Sequence, residues 1–326
     1  MIKTGKTLIK KHRILDLLKN PNPSYSGKEL LESIYTYRLI SGNAYILAVG
    51  PKNDLPKEIF ALRPDRVMVI AGESYLPAGY CYTIGSKSID YKVDHITGRS
   101  NILHIKNFHP LSDWYGLSSI EAAAYSIDQH NQAGAWNQAL LQNGARPSGA
   151  IIVKNAEGKP ANISADQFAR IKNMIDETFS GANNAGRPLL LEGGLEWKEM
   201  SLTPKGMDFI ASKHSSARDI ALAFGMPPQL LGILGDNTFS NLVEARIALW
   251  EQTVLPLVES TVERLNHWLG QFFGNEFLLT YDTDSVSALA IRKEKIWDRV
   301  ESSNFMTVNE KRVAVGLAPI KGGDSL

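Results

Sequence analysis

A chain of 326 residues with 44% apolar and 21% charged side chains lies well away from the disordered regime and is long enough for about two domains. Lys+Arg 35 against Asp+Glu 34 leaves a net charge of +1. That excludes a protein that packages or represses DNA through many phosphate clamps, while a transient or sliding contact stays open. Cys81 is the single cysteine, so no disulfide forms within the chain and a reducing compartment is expected. No apolar run approaches a membrane span, and no apolar signal region follows the basic start M-I-K-T-G-K-T-L-I-K-K-H-R. The expectation is a soluble protein made in a cytoplasm, with no membrane partner.

Residues 1–24 read as a basic arm closed by a proline-marked turn, N-P-N-P at 20–23. Ser26 caps a helix running to about Ile40, with Leu30, Ile34, Tyr37 and Ile40 on one face, and Gly42-Asn43 ends it. Short β-rich runs follow: A-Y-I-L-A-V, I-F-A-L-R-P-D-R-V-M-V-I, Y-C-Y-T-I and N-I-L-H-I, to Ile105. Their Gly, Pro and Asp punctuation predicts a small antiparallel unit. A turn-rich stretch then leads into a helix from about Ser118 to Asn143. Its apolar positions are Ile120, Ala124, Ile127 and Leu141, and its other side carries Gln129, Gln132, Gln138 and Gln142. Many amides and few charges predict a wall packed against neighbours.

N-G-A-R-P-S-G-A-I-I-V reads as turn and strand, and Ser164 caps a helix with Phe168, Ile171, Ile175 and Phe179 on its apolar side. G-R-P-L-L-L-E-G-G-L-E-W-K-E-M reads as a hairpin through Gly193-Gly194. Thr203-Pro204 starts a second long helix, which Gly225 and Pro227-Pro228 end. After a polar, glycine-bearing loop, a third helix starts near Asn241 with Glu244 as its capping partner and runs to about Phe273. Pro256 in its interior predicts a kink, and Trp250, Trp268, Phe272 and Phe273 read as a packing stripe. A strand at 277–281, a helix from Val286 to Glu301 and a closing helix-turn complete an α+β chain.

The loop between the second and third helices, A-F-G-M-P-P-Q-L-L-G-I-L-G-D-N-T-F-S-N at 223–241, has three readings: a catalytic lid, a phosphate cradle, or a contact surface. The chemistry for the first two is missing. G-D-S-L at 323–326 matches a serine-hydrolase motif, but no Asp or His follows Ser325 to activate it. G-K-T at 5–7 resembles the end of a phosphate loop, yet the glycine required five residues earlier has no place, which leaves Lys6 without a cradle. His104 and His109 lie near Asp113, but their odd spacing of five points them to opposite faces of a strand and no third ligand repeats the pattern. Asp282 and Asp284 follow a strand as turn or cap residues, and N-I-S at 162–164 is already used by the Ser164 cap. Neither enzyme activity, metal nor cofactor is expected.

Five segments carry a resemblance. They are L-L-K-N-P-N-P through L-I-S-G-N-A-Y-I (17–46), W-Y-G-L-S-S-I-E-A-A (114–123) and L-L-Q-N-G-A-R-P-S-G-A-I-I-V (140–153). A-L-A-F-G-M-P-P-Q-L-L-G (221–232) and N-E-K-R-V-A-V-G-L-A-P-I-K-G-G-D (309–324) complete the set. In this order and spacing the chain resembles the HK97-type portal proteins of tailed bacteriophages. The resemblance implies a homo-oligomeric ring, commonly of twelve subunits, at one capsid vertex of a virion, assembled in the bacterial host cytoplasm. Double-stranded DNA passes through the axial channel during packaging and ejection. The implied partners are the terminase large subunit, the head–tail connector, and the major capsid and scaffolding components. A different head–tail adaptor ring is the alternative; a serine or nucleotide hydrolase through Ser325 or Lys6 is a more distant one.

The implied parts are an N-terminal arm (1–25), a β-rich wing (26–117), a stem helix (118–143) and a small α/β clip (144–203). A second stem helix (204–225), a tunnel loop (226–241) and a long kinked helix (242–273) follow, and 274–326 completes the wing and crown. Leu234, Gly235, Asp236, Asn237, Thr238, Phe239 and Ser240 would then face the channel, with Lys213, Arg218, Gln129 and Gln132 as channel or stem candidates. A near-neutral chain suits this role, because each added phosphate clamp would hinder sliding. Family members usually carry substantial chain upstream of Leu17–Leu18, where this sequence has a short basic arm.

Overall fold

The computed structural model describes residues 1–4, 7–9, 11–51, 55–73, 76–142, 149–154, 162–179, 195–199, 209–233, 239–274, 276–283 and 286–325. Its elements in chain order are β1 (Ile2–Thr4), β2 (Thr7–Ile9), α1 (Arg13–Lys19), α2 (Gly27–Ser41), β3 (Asn43–Val49), β4 (Glu58–Leu62), β5 (Val67–Ile70), β6 (Gly79–Ile84), β7 (Lys87–Lys92) and β8 (Ile102–Lys106). There follow α3 (Ser119–Ala122), α4 (Ala124–Gln142), β9 (Gly149–Val153), α5 (Ala165–Phe179), β10 (Leu195–Glu199) and α6 (Phe209–Ala223). The chain closes with α7 (Phe239–Ala248), α8 (Leu255–Phe273), β11 (Leu278–Leu279), α9 (Ser287–Glu301) and α10 (Val308–Ala314). It is an α+β architecture that divides into two units, residues 1–122 with 221–326, and residues 123–220.

The first unit is organised around β3. Alternation sends Ala44, Ile46 and Ala48 into one core and Tyr45 and Leu47 into another, so this central strand is buried on both faces. It pairs antiparallel with β4 (Ile46 opposite Ala61) and with β8 (Ala44 opposite Ile105). Helix α2 covers the first core with Leu30 and Ile34, each burial contributing about 1.5–3 kcal/mol. Ser26 and Glu29 form a reciprocal capping box at its start. Gly42 ends it with a φ of 75°, where a side chain would meet the Gly116 carbonyl oxygen at 2.3 Å. The second core is closed by the antiparallel sheet β5–β6–β7, whose Tyr80 meets Tyr45 of β3 edge to face.

Three local expectations change. Ile40 is exposed, and the buried position on that helical face is Arg38. Its Nη1 donates to Thr261 Oγ1 (2.7 Å), Ser260 Oγ (3.1 Å) and the Leu257 carbonyl (3.3 Å), and its Nη2 to Asn107 Oδ1 (3.3 Å). Neutral acceptors on α8 and after β8 thus solvate a buried cation, and burial holds its pKa below the usual arginine value. The N-terminal residues are not a free arm. β1 pairs with β11, Ile2 opposite Leu279, and Ile2, Ile14 and Leu17 are in the core. The third change is the break between α3 and α4 at Ala123, with Ser118 Oγ accepting from the Ile120 and Glu121 amides ahead of it.

The second unit contains α4, α5, the antiparallel pair β9–β10 and most of α6. The expected cap of α5 is present: Ser164 Oγ accepts from the Gln167 amide, and Gln167 Oε1 from the Ser164 amide. Strand β10 pairs with β9, Trp197 opposite Ile151; the turn read at Gly193-Gly194 and the helix start at Thr203-Pro204 lie outside the described residues. No helix among the described residues is long and apolar enough to cross a membrane.

Candidate functional site

The region singled out by the sequence is the junction between α6 and the long helical run that follows it. α6 stops because Gly225 adopts a φ of 68°, and the Met226 amide turns back to the Ala221 carbonyl at 2.8 Å. Pro228–Leu231 then form one 3-10 turn, closed by Gly232 with a φ of 74°. Leu234, Gly235, Asp236, Asn237 and Thr238 lie outside the described residues. Phe239 and Ser240 are in the first turn of α7, because this helix begins two residues before the expected Asn241. They belong by backbone to the helix rather than to the loop.

The expected interruption of the long helix takes a definite form. Between α7 and α8 the segment Leu249–Val254 is π-helical, and the Leu255 amide bonds the Trp250 carbonyl. Pro256 follows at once, lacking an amide for the ordinary ladder, and the wider turn absorbs that missing donor. The π turn also grips the end of α6. Thr253 Oγ1 donates to the Gly225 carbonyl at 2.5 Å, and a side chain at position 225 would meet Thr253 Oγ1 at 2.7 Å. The turn that ends α6 is therefore held to the π turn between α7 and α8. Pro256 was the sequence signal for the interruption; nothing pointed to Thr253.

α8 is fixed on its inner side. Thr261, Leu265, Trp268 and Leu269 are buried, Trp268 Nε1 donates to the Ser100 carbonyl at 2.9 Å, and Trp268 stands edge to face with Phe272. Trp268 thus packs as the stripe reading expected, while Trp250 is half-buried on the π turn. Arg38, which the sequence reading missed, holds the same helix from α2.

Within the second unit, Gln129 connects its two long helices. Ser216 is almost fully buried on α6, and its hydroxyl has the Gln129 Oε1 (3.2 Å) and the Ser212 carbonyl (3.0 Å) as acceptors. Gln132 and Lys213 are exposed, and Arg218 is half-buried and engaged. The four candidates form no single cluster with a chemical role.

The histidine reading also resolves. His104 stacks on Tyr45 at 4.3 Å between ring centres, and its Nε2 lies 3.0 Å from Asn43 Oδ1. Burial, with Lys106 and Arg264 nearby, pushes its pKa down to about 3, so it is a neutral, half-buried group beside the second core. His109 accepts the Leu111 amide on an exposed turn. No group of three or more His, Cys, Asp or Glu among the described residues could hold a metal ion.

This junction joins the end of α6 to the π turn, and comparison with known proteins gives it a context. The family model described as phage portal protein matches residues 2–316. A protein of Rickettsia bellii is 49% identical over 319 residues, covering 98% of this chain and 81% of that one. The portal protein of Enterobacteria phage HK97 is 23% identical over 318 residues, covering 94% of this chain and 69% of its own. A chain in the neck of a native gene transfer agent particle, computed with C12 symmetry, is 44% identical with a TM-score of 0.71, covering 94% of this chain and 84% of that one. The chain belongs to the phage portal protein family.

Proposed function

We propose that the protein is a non-enzymatic subunit of a closed ring, twelve copies around a channel for double-stranded DNA at the unique vertex of a phage-like particle. The observation that carries this reading is the 44% identity, over nearly the whole chain, to a chain in a neck with twelvefold symmetry. In this reading residues 26–117 and 274–326 form the wing and crown, 118–143 and 204–225 the stem, and 144–203 the clip. The clip docks first the terminase large subunit and later the head–tail connector. Capsid and scaffolding components surround the wing, and assembly takes place in the bacterial cytoplasm before the ring becomes part of the virion.

The clamp between Thr253 and Gly225 supports a channel role for the loop above it. It fixes the turn from which the loop departs, and residues 234–238 carry one acid and no base. Such a loop contacts a passing phosphate backbone without the basic clamps that would arrest it. Lys213, Arg218, Gln129 and Gln132 would line or brace the stem.

Deleting residues 235–240 tests the assignment. Rings of unchanged mass are expected, with packaged or retained DNA strongly reduced. Particles that package and keep DNA normally with this deletion would remove the loop from the mechanism.

A further inference from the structure

Helix α8 presents opposite charge on the two edges of its exposed face. With about 100° of turn per residue, Glu259 and Arg264 are about 140° apart around the helix, and Glu263 lies between them. All three are exposed, opposite the buried Thr261, Leu265 and Trp268. Among the described residues none of the three forms an ion pair.

On the basic edge, Arg264 lines a cleft of about 630 Å³ together with Lys106, His267, Arg99 and Trp114. Asp113 is the one carboxylate among its described lining residues, and Lys106 donates to the Asp113 main-chain carbonyl. Burial and then the neighbouring Arg264 hold the Lys106 ammonium below its usual pKa, and the opposing pull of Asp113 only partly offsets them. A partly enclosed cleft strengthens any ion pair made inside it relative to open surface.

The chain as a whole carries 35 basic and 34 acidic residues, so a local surplus of cations is balanced by acids elsewhere on the same molecule. A closed ring makes heterologous contacts, which require two different, complementary surfaces on each copy. We propose that the Glu259–Glu263 edge of one subunit docks into the Arg264–Lys106 cleft of the next, so that α8 fixes the direction of ring closure by charge. The inference rests on the ring reading above and adds to it the side chains that meet.

Two surface variants test it. One reverses the cleft (Arg264→Glu with His267→Glu); the other reverses the acidic edge (Glu259→Lys with Glu263→Lys). Each alone places like charges at every contact, and the ring fraction by native mass spectrometry is expected to fall roughly tenfold or more. Mixed in equal amounts, each supplies what the other lacks, and rings of strictly alternating subunits are expected. Misfolding cannot mimic that outcome, because two unfolded variants do not rescue each other. Normal rings from either variant alone would assign the cleft to another partner and overturn the proposal. So would a mixture that fails to assemble. If the unmodified protein itself forms no ring, the ring reading fails instead, which keeps the two failures distinguishable.

Discussion

The two units of this chain differ in how many of their described residues are buried. In residues 1–122 with 221–326, β3 is buried on both faces and Ile2, Ile34, Ile46 and Leu269 are essentially inaccessible. In residues 123–220, the described buried positions are Ala123 and Ser216, while Tyr125 is 85% exposed, Ile210 69% and Phe168 61%. The first unit supplies its own core. Both units also expose large apolar side chains, Ile96 (96%) and Phe108 (86%) in the first and Tyr125 in the second, so the difference among the described residues lies in buried core and not in exposed surface.

That contrast can be broken most directly by trimming side chains in both places. Ile46→Ala leaves a cavity between two core layers and is expected to destabilise the dissociated subunit by about 3 kcal/mol in urea unfolding. Tyr125→Ala is expected to change that stability by less than about 0.5 kcal/mol while lowering the ring fraction by native mass. Equal stability losses at the two sites would erase the distinction.

Acid sharpens the contrast. The unfolded chain takes up a proton on His104 near its ordinary 6.5, whereas the folded imidazole stays neutral down to about 3. Below pH about 6.5 the unfolded state binds the extra proton, so stability of the first unit falls by at most about 1.4 kcal/mol per pH unit. His104→Phe should flatten this slope, as read by urea midpoints between pH 6.5 and pH 4. An unchanged slope would show that the imidazole is accessible in the folded unit.

The smallest effect concerns the bond between the π turn and the end of α6. Thr253→Val removes the donation to the Gly225 carbonyl and is expected to cost about 1 kcal/mol. Hydrogen exchange in 221–233 should rise while the amides of α2 keep their protection. Equal exchange in the variant and the unmodified protein would show that the threonine does not hold the junction.

Much of the first unit was legible in the sequence because its signals are local. Ser26 with Glu29, the apolar spacing of Leu30 and Ile34, and the alternation through 43–49 needed no distant partner to be read. The misses needed one. Three-residue strands at Ile2–Thr4 and Thr7–Ile9 exist because β11, nearly the whole chain away, pairs with the first of them. β7, K-S-I-D-Y-K, is a polar edge strand without an apolar signal. Arg38 was hidden because a buried guanidinium depends on acceptors contributed by α8. At the candidate site, Gly225, the paired prolines and Pro256 marked the junction, but the π turn and the Thr253 grip arise from how two helices meet. The loop residues themselves were chosen by family resemblance, and their contacts are a matter for the deletion above.

Negative-stain images and native mass of the purified unmodified protein test the central claim most directly. The account predicts closed rings with a central hole and a mass many times the 36.0 kDa of one chain. A strictly monomeric protein at high concentration would contradict it.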